Sequence, residues 1–215
     1  CSLTGSNMIT IIDYDRGNLF SLGQAVRHLG GDFEISGDPE RVKCAKKLVL
    51  PGVGAFGDGM ARLREKGLID AILKAAEQGT PILGICLGMQ LLAGFSEEFG
   101  AHRGLGLIPG RVRRLPEKKK LDFSSSRIPN IGWRRLNPTA SGDGVFEAGS
   151  MVYFLHSYVL EAEDSSQVIA TIDFNGQNVA AAVRRENLIG YQFHPEKSGP
   201  VGLSLIRRFI DSTEN

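Results

Sequence analysis

Cys86 is the strongest candidate nucleophile in the sequence, because of the residues around it. It lies in the stretch GICLG at 84–88, after an apolar run, Pro81 to Ile85, that predicts a buried strand. Met89 to Ala93 predicts a helix after it. Glycines two residues before and after the cysteine are typical of a nucleophile elbow, a sharp strand-to-helix turn with no room for nearby Cβ atoms. A lone cysteine after a strand also fits a small core residue. The choice between the two interpretations depends on whether other catalytic residues occur elsewhere in the sequence.

A general base for this nucleophile is predicted at His194. It is the one histidine of four that ends an apolar strand, which we predict over Leu188 to Phe193. Parallel α/β folds place their ligands at strand ends, so this imidazole could deprotonate Cys86. Glu196 lies on the same side of the extended segment and could orient the ring. Alone, the pair also fits a surface loop; together with the elbow it predicts a Cys–His–Glu triad.

A glycine-rich turn, PGVGAFG at 51–57, contains a G-x-G-x-x-G match. A dinucleotide fingerprint is one interpretation, but the turn follows the third predicted strand, and Pro51 lacks an N–H at its entrance. No strand with an acidic end follows at the expected distance. The other interpretation is a turn facing Cys86. In that case the N–H groups of Val53 and Leu87 would form an oxyanion hole.

The remaining histidines are less informative. His156, in the mixed polar and aromatic run YFLHSY at 153–158, fits either core packing or the wall of a polar pocket. His28 and His102 are predicted to be solvated.

The order of elements predicts an α/β fold. In the first half, strands without polar alternation are separated by helices, which indicates a mostly parallel sheet covered by helices. The second half has short β-like runs between turns, which indicates an added antiparallel layer. The predicted strands of the first half are Met8–Tyr14, Asp32–Ser36, Lys47–Leu50 and Pro81–Ile85. Helices are predicted from Asn18 to His28, from Ala61 to Glu77 with a possible break near Gly67, and from Val201 to Ile210. The β-like runs are Val112–Leu115, Trp133–Leu136, Val152–Leu160, Val168–Phe174 and Ala180–Arg184.

Composition fits one domain over residues 8–215. Apolar residues make up 42% of the 215, charged residues 23%, and the net charge of +1 gives no field for nucleic acid or an acidic membrane. We interpret residues 1–7 as a cloning remnant, which excludes Cys1 from the chemistry. A basic cluster is predicted to be a solvated surface: Arg111, Arg113, Arg114 and Lys118–Lys120. The stretch from Lys118 onward is interpreted as a mobile loop within residues 117–127.

The three cysteines have no paired spacing, which argues against a disulfide framework and favours a reducing compartment, the cytoplasm. No pattern for a metal site and no apolar stretch of about 18 residues is present, so neither a metal, a cofactor nor a membrane span is expected.

Five motifs, in this order, resemble the class I (triad-type) glutamine amidotransferases, which have a flavodoxin-like fold. They are PGVGAFGDGM at 51–60, GICLGMQLL at 84–92, PNIGW at 129–133, YFLHSY at 153–158 and YQFHPEKSG at 191–199. Within the family they are most similar to the glutaminase subunit of imidazole glycerol phosphate synthase. The resemblance covers the chain from near Met8 to its C-terminus.

This resemblance implies roles for single residues. Cys86 would attack glutamine, with His194 as base and Glu196 as its orienter. The implied oxyanion donors are Leu87 and the Gly52–Val53 turn, and the implied glutamine-binding residues are Gln90, Ser157 and Tyr158.

It also implies a partner, a (β/α)₈ synthase subunit that receives the ammonia and forms imidazole glycerol phosphate and AICAR in histidine biosynthesis. The residues implied at the interface are Asn130, Trp133, Tyr153 and Lys197. The oxyanion turn would be badly set until that partner binds.

Two other functions remain open from the sequence. Similar subunits donate ammonia for nucleotide-sugar amidation in surface polysaccharide synthesis, and a catalytically inactive regulatory subunit is a third reading. One position departs from the family pattern. Asp15 stands in DYDRGN at 13–18 where glycine is usual, which puts the local loop or a partner contact in doubt.

Overall fold

A computed structural model describes residues 8–117 and 127–212. The first half alternates strands and helices: β1 Ile9–Ile12, α1 Leu19–His28, β2 Phe33–Ser36, α2 Pro39–Lys43, β3 Lys47–Leu50, α3 Phe56–Glu65, α4 Leu68–Glu77, β4 Ile82–Ile85 and α5 Leu87–Leu91. The second half is rich in strands: β5 Ala93–Ser96, β6 His102–Arg103, β7 Ile108–Arg114, β8 Asn130–Arg135, β9 Asn137–Pro138, β10 Met151–His156, β11 Tyr158–Ala162, β12 Val168–Phe174, β13 Gln177–Arg185 and β14 Leu188–Tyr191. Helix α6, Gly199–Asp211, follows, and 3₁₀ turns cover Ala140–Gly142, Ser165–Gln167 and Pro195–Lys197.

The central sheet has eight strands in the order β2-β1-β3-β4-β14-β13-β12-β9. Strands β2, β1, β3, β4 and β14 pair in parallel, and β13, β12 and β9 continue antiparallel. Strands β1, β3 and β4 are buried along their whole length, which explains their apolar runs without alternation. The predicted α/β fold with a mostly parallel sheet is confirmed.

The return of β14 to the middle of the sheet positions the site. It pairs in parallel with β4, so that Tyr191 lies opposite Ile85. The carboxyl ends of the two strands therefore meet, although their residues are about a hundred positions apart in the chain. The segments that follow, Cys86 and 192–196, become neighbours.

Two smaller sheets form the added layer, which is antiparallel except that β5 and β7 pair in parallel. Strands β8 and β10 make a two-stranded sheet, and the order in the other is β11-β7-β5-β6. The single strand predicted over Val152–Leu160 is therefore wrong. The structure divides it at Ser157 into β10 and β11, which belong to different sheets. A continuous apolar pattern does not reveal where a chain leaves one sheet for the next.

The helices differ from prediction mainly at their ends. The predicted break is confirmed: Gly67 has φ of +67° and separates α3 from α4. Helix α3 begins at Phe56 rather than at the predicted Ala61. At this start, the Phe56 N–H donates a hydrogen bond to the Glu98 carboxylate at 2.7 Å. The short helix α2 escaped prediction because five residues carry little periodicity.

Several sequence expectations concern the surface and the cysteines. The basic residues of β7 form ion pairs at the surface: Arg111 and Arg113 with Glu161, and Arg114 with Glu117. Residues 1–7 and most of the stretch predicted as a mobile loop, residues 118–126, lie outside the described residues. Cys44 is disulfide-bonded, which the cysteine spacing did not lead us to expect, and Cys86 is a free thiol. No helix within the described ranges has the length and apolar character needed to cross a bilayer.

Candidate active site

Cys86 forms the strained turn that its flanking glycines predicted. It joins β4 directly to α5 with φ of +53° and ψ of −110°, a conformation that a non-glycine residue adopts only where surrounding structure imposes it. A Cβ on Gly84 would lie 2.8 Å from the Met89 backbone nitrogen, and one on Gly88 would lie 1.7 Å from the Leu50 carbonyl oxygen. Both glycines are therefore required by the elbow.

His194 and Glu196 form a buried pair next to this elbow. Their side chains are 3% and 4% exposed, and His194 Nδ1 lies 2.9 Å from Glu196 Oε1. A carboxylate only accepts hydrogen bonds, so Nδ1 carries a hydrogen in either charge state, and Nε2 is the nitrogen that can take up and return a proton. Nε2 is buried and has no hydrogen-bond partner among the described residues. An unpaired basic nitrogen beside a thiol is what a general base requires.

The charge of the imidazole is stabilised by its neighbours. Burial lowers the pKa of His194, but interactions with Cys86 and Glu196 outweigh it and raise the pKa from 6.5 to about 9. The protonated ring is thus favoured between a thiol that can ionise and a carboxylate. This is the electrostatic setting of a thiolate–imidazolium pair.

Backbone carbonyls of β10 hold the main chain of His194 and the thiol of Cys86. The His194 N–H donates to the Tyr153 carbonyl at 2.9 Å, and the Cys86 thiol donates to the Leu155 carbonyl, with 3.7 Å between sulfur and oxygen. Ser198 ties the segment further, since its hydroxyl donates to the His194 carbonyl and accepts from the Tyr153 N–H. Base and nucleophile therefore share one support.

The glycine-rich turn faces the elbow, as the second interpretation predicted, but its carbonyl points inward. The Leu87 N–H donates to the Gly52 carbonyl at 3.3 Å. Tyr14 holds the entrance through a 2.6 Å hydrogen bond from its hydroxyl to the Pro51 carbonyl. A Cβ on Gly52 would lie 2.3 Å from that hydroxyl oxygen, so only glycine fits. The turn thus occupies the donor at Leu87 instead of adding one at Val53.

A small cavity separates the turn from the His–Glu pair. It is lined by Asn18, Leu22, Pro51, Gly52, Val53, Ile85, His194 and Glu196. Both the carboxylate and the imidazole therefore border the space next to the turn.

Gln90 lies on the other side of Cys86 with its amide fixed. Its Nε2 donates to the Tyr158 carbonyl and to Gln192 Oε1, both at 2.9 Å. Both amide hydrogens are then engaged, so its remaining capacity is to accept a hydrogen bond through Oε1. Ser157 and Tyr158 lie half-buried at the junction of β10 and β11. The predicted glutamine-binding residues are thus close to one another and to the elbow.

Two buried polar residues near the site carried no assigned role. His156, left open by the sequence, is 6% exposed; its Nδ1–H donates to the Tyr158 carbonyl at 2.8 Å, and its Nε2 accepts from the Asn130 amide at 2.9 Å. Burial chiefly lowers the pKa of His156 to about 4. Gln192 is fully buried, and its Nε2 lies 3.8 Å from Cys86 Sγ. A glutamine within an apolar strand run was the signal that sequence reasoning passed over.

Three of the four residues implied at a partner interface lie on one surface. Trp133 is half exposed on β8, Tyr153 lies opposite it on β10, and Lys197 is exposed nearby. Asn130 corrects that prediction. It is fully buried behind the surface, where it bonds His156 and accepts from Arg134 Nε at 2.8 Å. The outer side of this strand pair also exposes Ile131 and Leu155.

No group of three or more His, Cys, Asp or Glu side chains that could hold a metal ion occurs in residues 8–117 and 127–212.

Comparison with known proteins shows the family of the chain. The profile of "Glutamine amidotransferase class-I" matches residues 10–212. The "Imidazole glycerol phosphate synthase subunit HisH" of Syntrophotalea carbinolica is 46% identical over 95% of this chain and 100% of its own. The protein of the same name from Geobacillus thermodenitrificans is 47% identical over 94% and 95%.

Solved structures support the fold independently. A structure described as "Crystal structure of glutamine amidotransferase" superposes with a TM-score of 0.71 at 20% identity and covers 94% of this chain and 97% of its own. The "Structure of PurLQS from Thermotoga maritima" gives 0.70 at 23% identity, covering 95% and 97%. The chain therefore belongs to the class-I glutamine amidotransferases and, within them, to the family of the imidazole glycerol phosphate synthase subunit HisH.

Proposed function

We propose that this chain hydrolyses the side-chain amide of glutamine with Cys86, His194 and Glu196, and passes the ammonia to a (β/α)₈ synthase subunit that forms imidazole glycerol phosphate and AICAR. The observation that carries the proposal is the unpaired, buried Nε2 of His194 beside a cysteine in a strained elbow. Membership of the family supplies the substrate.

The geometry supports a two-stage reaction. His194 Nε2 takes the Cys86 proton, and the thiolate attacks the amide carbon of glutamine. The tetrahedral intermediate collapses as His194 returns the proton to the leaving nitrogen, which departs as ammonia and leaves a glutamyl thioester. Water, deprotonated by His194, then attacks the thioester and releases glutamate and the thiol. Glu196 keeps the ring in the required tautomer throughout.

Recognition of the α-amino and α-carboxylate groups falls to Gln90, Ser157 and Tyr158. Because its amide hydrogens are engaged, Gln90 presents an acceptor, which suits the substrate's ammonium group. The hydroxyl groups of Ser157 and Tyr158, at the junction between β10 and β11, can donate hydrogen bonds to the α-carboxylate of glutamine.

The inward Gly52 carbonyl supports dependence on a partner. An oxyanion that forms at Cys86 needs N–H donors, yet Leu87 already donates to Gly52. Rotation of the Gly52–Val53 peptide would free Leu87 and turn the Val53 N–H toward the oxyanion. Val53 is 41% exposed, so a docked protein has access to this peptide. The nearby surface with Trp133, Tyr153 and Lys197 is the proposed docking site.

The two alternatives are less well supported. The cited curated relatives that share nearly half of this chain's residues carry the name of the histidine-pathway enzyme, not of a sugar amidotransferase. A complete triad with the required tautomer argues against an inactive regulatory subunit.

The test measures glutamate production from glutamine by the isolated chain and by the chain co-expressed with a histidine-pathway synthase and supplied with its nucleotide ligand. We expect low activity alone and a rise of at least about 10² to 10³ in the complex, because the rotation supplies two oxyanion donors and one donor is worth that factor. Full activity of the isolated chain would rule out the coupling.

The matched variant is Cys86→Ala in the same complex. Glutamine hydrolysis should disappear, whereas imidazole glycerol phosphate synthesis from added ammonium salt should persist. Loss of both activities would contradict the division of labour between the two subunits.

A further inference from the structure

Gln192 lies between two parts of the site and touches both. It directly follows β14, and its backbone N–H is held by the Ala181 carbonyl at 2.9 Å. Its side-chain oxygen accepts from Gln90 at 2.9 Å, and its side-chain nitrogen lies 3.8 Å from Cys86 Sγ. The residue is fully buried. A buried amide without these partners would be destabilising, so the contacts define its orientation.

The direction of the hydrogen bonds is set by a backbone carbonyl. The Tyr158 carbonyl can only accept, and it accepts from both His156 Nδ1 and Gln90 Nε2. Gln90 must therefore turn its NH₂ group toward Tyr158, which leaves its second hydrogen for Gln192 Oε1. Gln192 in turn must direct its own NH₂ group at the cysteine.

His156 keeps the same hydrogen-bond direction at every pH well above 4. It is neutral, because burial lowers its pKa to about 4, and its Nε2 is occupied by the Asn130 amide. Its only hydrogen therefore points at Tyr158. An inverted arrangement, with the oxygen of Gln192 toward the sulfur, would place two acceptors in contact.

We infer that Gln192 is a further catalytic residue, whose amide N–H donates to the Cys86 sulfur and stabilises the thiolate while its oxygen fixes Gln90 for the substrate's ammonium group. The inference deepens the proposed function and rests on it. A hydrogen bond to a charged acceptor is stronger than one to a neutral acceptor, so the contact gains strength when the thiol ionises. His194 alone then does not have to stabilise the charge.

The test is the pH profile of Cys86 alkylation by iodoacetamide in the full-length chain, read at the Cys86 peptide by mass spectrometry. Gln192→Met preserves length and removes both polar atoms. We expect its alkylation midpoint to rise by about one pH unit and its rate at neutral pH to fall about tenfold, as expected for a lost hydrogen bond to a charged group. In the synthase complex, kcat should fall and KM for glutamine should rise.

Two further variants separate the roles. Gln90→Met should raise KM for glutamine; because it also removes the donor that orients Gln192, it should move the alkylation midpoint by less than Gln192→Met does. Asn187→Leu removes another amide, near the start of β14, that donates to the Ala76 and Thr80 carbonyls at 3.1 and 2.7 Å. It should lower thermal stability without moving the alkylation midpoint. If Gln192→Met does not fold, Gln192→Asn, whose shorter amide cannot span both partners, should show the same shift.

An alkylation profile of the folded Gln192 variant that coincides with that of the unmodified chain would overturn the inference, even if the complex hydrolyses glutamine. Absence of glutamine hydrolysis by the unmodified complex would instead overturn the proposed function. The alkylation comparison would still decide whether Gln192 stabilises the thiolate.

Discussion

The His194–Glu196 pair and the Gly52–Val53 turn lie beside the same cysteine, yet only the pair is arranged for reaction. The pair is buried, correctly protonated and held by β10. The turn places a carbonyl on the Leu87 N–H, the donor that an oxyanion would need. Proton transfer is therefore prepared within the chain, whereas stabilisation of the oxyanion is not.

The difference follows from what determines each geometry. Side-chain chemistry fixes the pair, because a carboxylate and an imidazole in a dry site admit few arrangements. The geometry of the turn depends on the direction of one peptide group, which joins Gly52 to the half-exposed Val53. Under the proposed function, a contact of the partner at the exposed Val53 reverses this peptide group. One side of Cys86 is thus rigid and the other can switch.

The rigid side should be broken most strongly by Glu196→Gln. The amide can donate to Nδ1 and favour the wrong tautomer, so glutamine hydrolysis by the complex should fall by about 10² to 10⁴. Glu196 helps raise the pKa of His194 to about 9. The rate of glutamine hydrolysis should fall as pH rises through that value, because His194 then loses the proton that it gives to the leaving nitrogen. In the variant this alkaline limb should move to lower pH. A limb at unchanged pH would show that Glu196 does not act on His194.

The contrast itself can be measured with two reagents on the same cysteine. Alkylation by iodoacetamide needs the thiolate but no oxyanion donor, so isolated chain and complex should differ less than about threefold, within the spread left by altered access. Glutamine hydrolysis needs both the thiolate and the oxyanion donors, and it should differ by at least about 10² to 10³. If forming the complex raises the rate of alkylation as much as the rate of glutamine hydrolysis, the arrangement of the triad also depends on the partner.

A smaller effect concerns His156, which supports the rigid side. Its folded-state pKa of about 4 is below the unfolded value of 6.5, so the unfolded state binds the proton first as pH falls. This contribution to stability is intact above pH 6.5 and lost toward pH 4. Between pH 7 and 5 it amounts to about 2 kcal/mol. His156→Gln should lose that part of the pH dependence in urea unfolding; an equal dependence would contradict a neutral His156.

The smallest effect is expected at Asp15, in the loop beneath the switching turn. Asp15 has φ of +62° and pairs with Lys66 at 3.0 Å. Asp15→Gly should change the free energy of unfolding by less than about 0.5 kcal/mol, since glycine suits this backbone. Asp15→Ala should destabilise by about 1 kcal/mol. Both should leave glutamine hydrolysis unchanged; a loss of partner-dependent activity in both would assign Asp15 to the interface.

The conformation of Asp15 also explains the departure from the family pattern. Glycine is usual at this position because the backbone lies in the left-handed region, and aspartate is among the residues that tolerate it. The observed backbone conformation is therefore compatible with either residue.

How far the sequence predicts this molecule depends on the kind of information. The elbow was predictable, since Gly84 and Gly88 record contacts too close for a Cβ. Strand runs were predictable where burial is uniform. The end of β10 at His156 was not predictable, because the β-like residue pattern continues through Ser157 into β11, which belongs to another sheet.

Other features were beyond sequence reasoning for physical reasons. The direction of the Gly52 carbonyl leaves no mark on residue types. Asn130 was assigned to the partner surface with its motif, but alternation along β8 turns it inward to His156. The role inferred for Gln192 depends on three hydrogen bonds among distant segments, which only the folded chain brings together.

Strand β10 also limits the insertions and deletions that this chain can accept. Its side chains at Tyr153 and Leu155 face outward while its carbonyls at the same residues hold His194 and Cys86. One residue added inside β10, between Met151 and Tyr153, would reverse the side chains that follow it and displace both carbonyls at once. Length changes should therefore accumulate in the connections before β10, and the spacing from Tyr153 to Ser157 should stay constant among active members of the family.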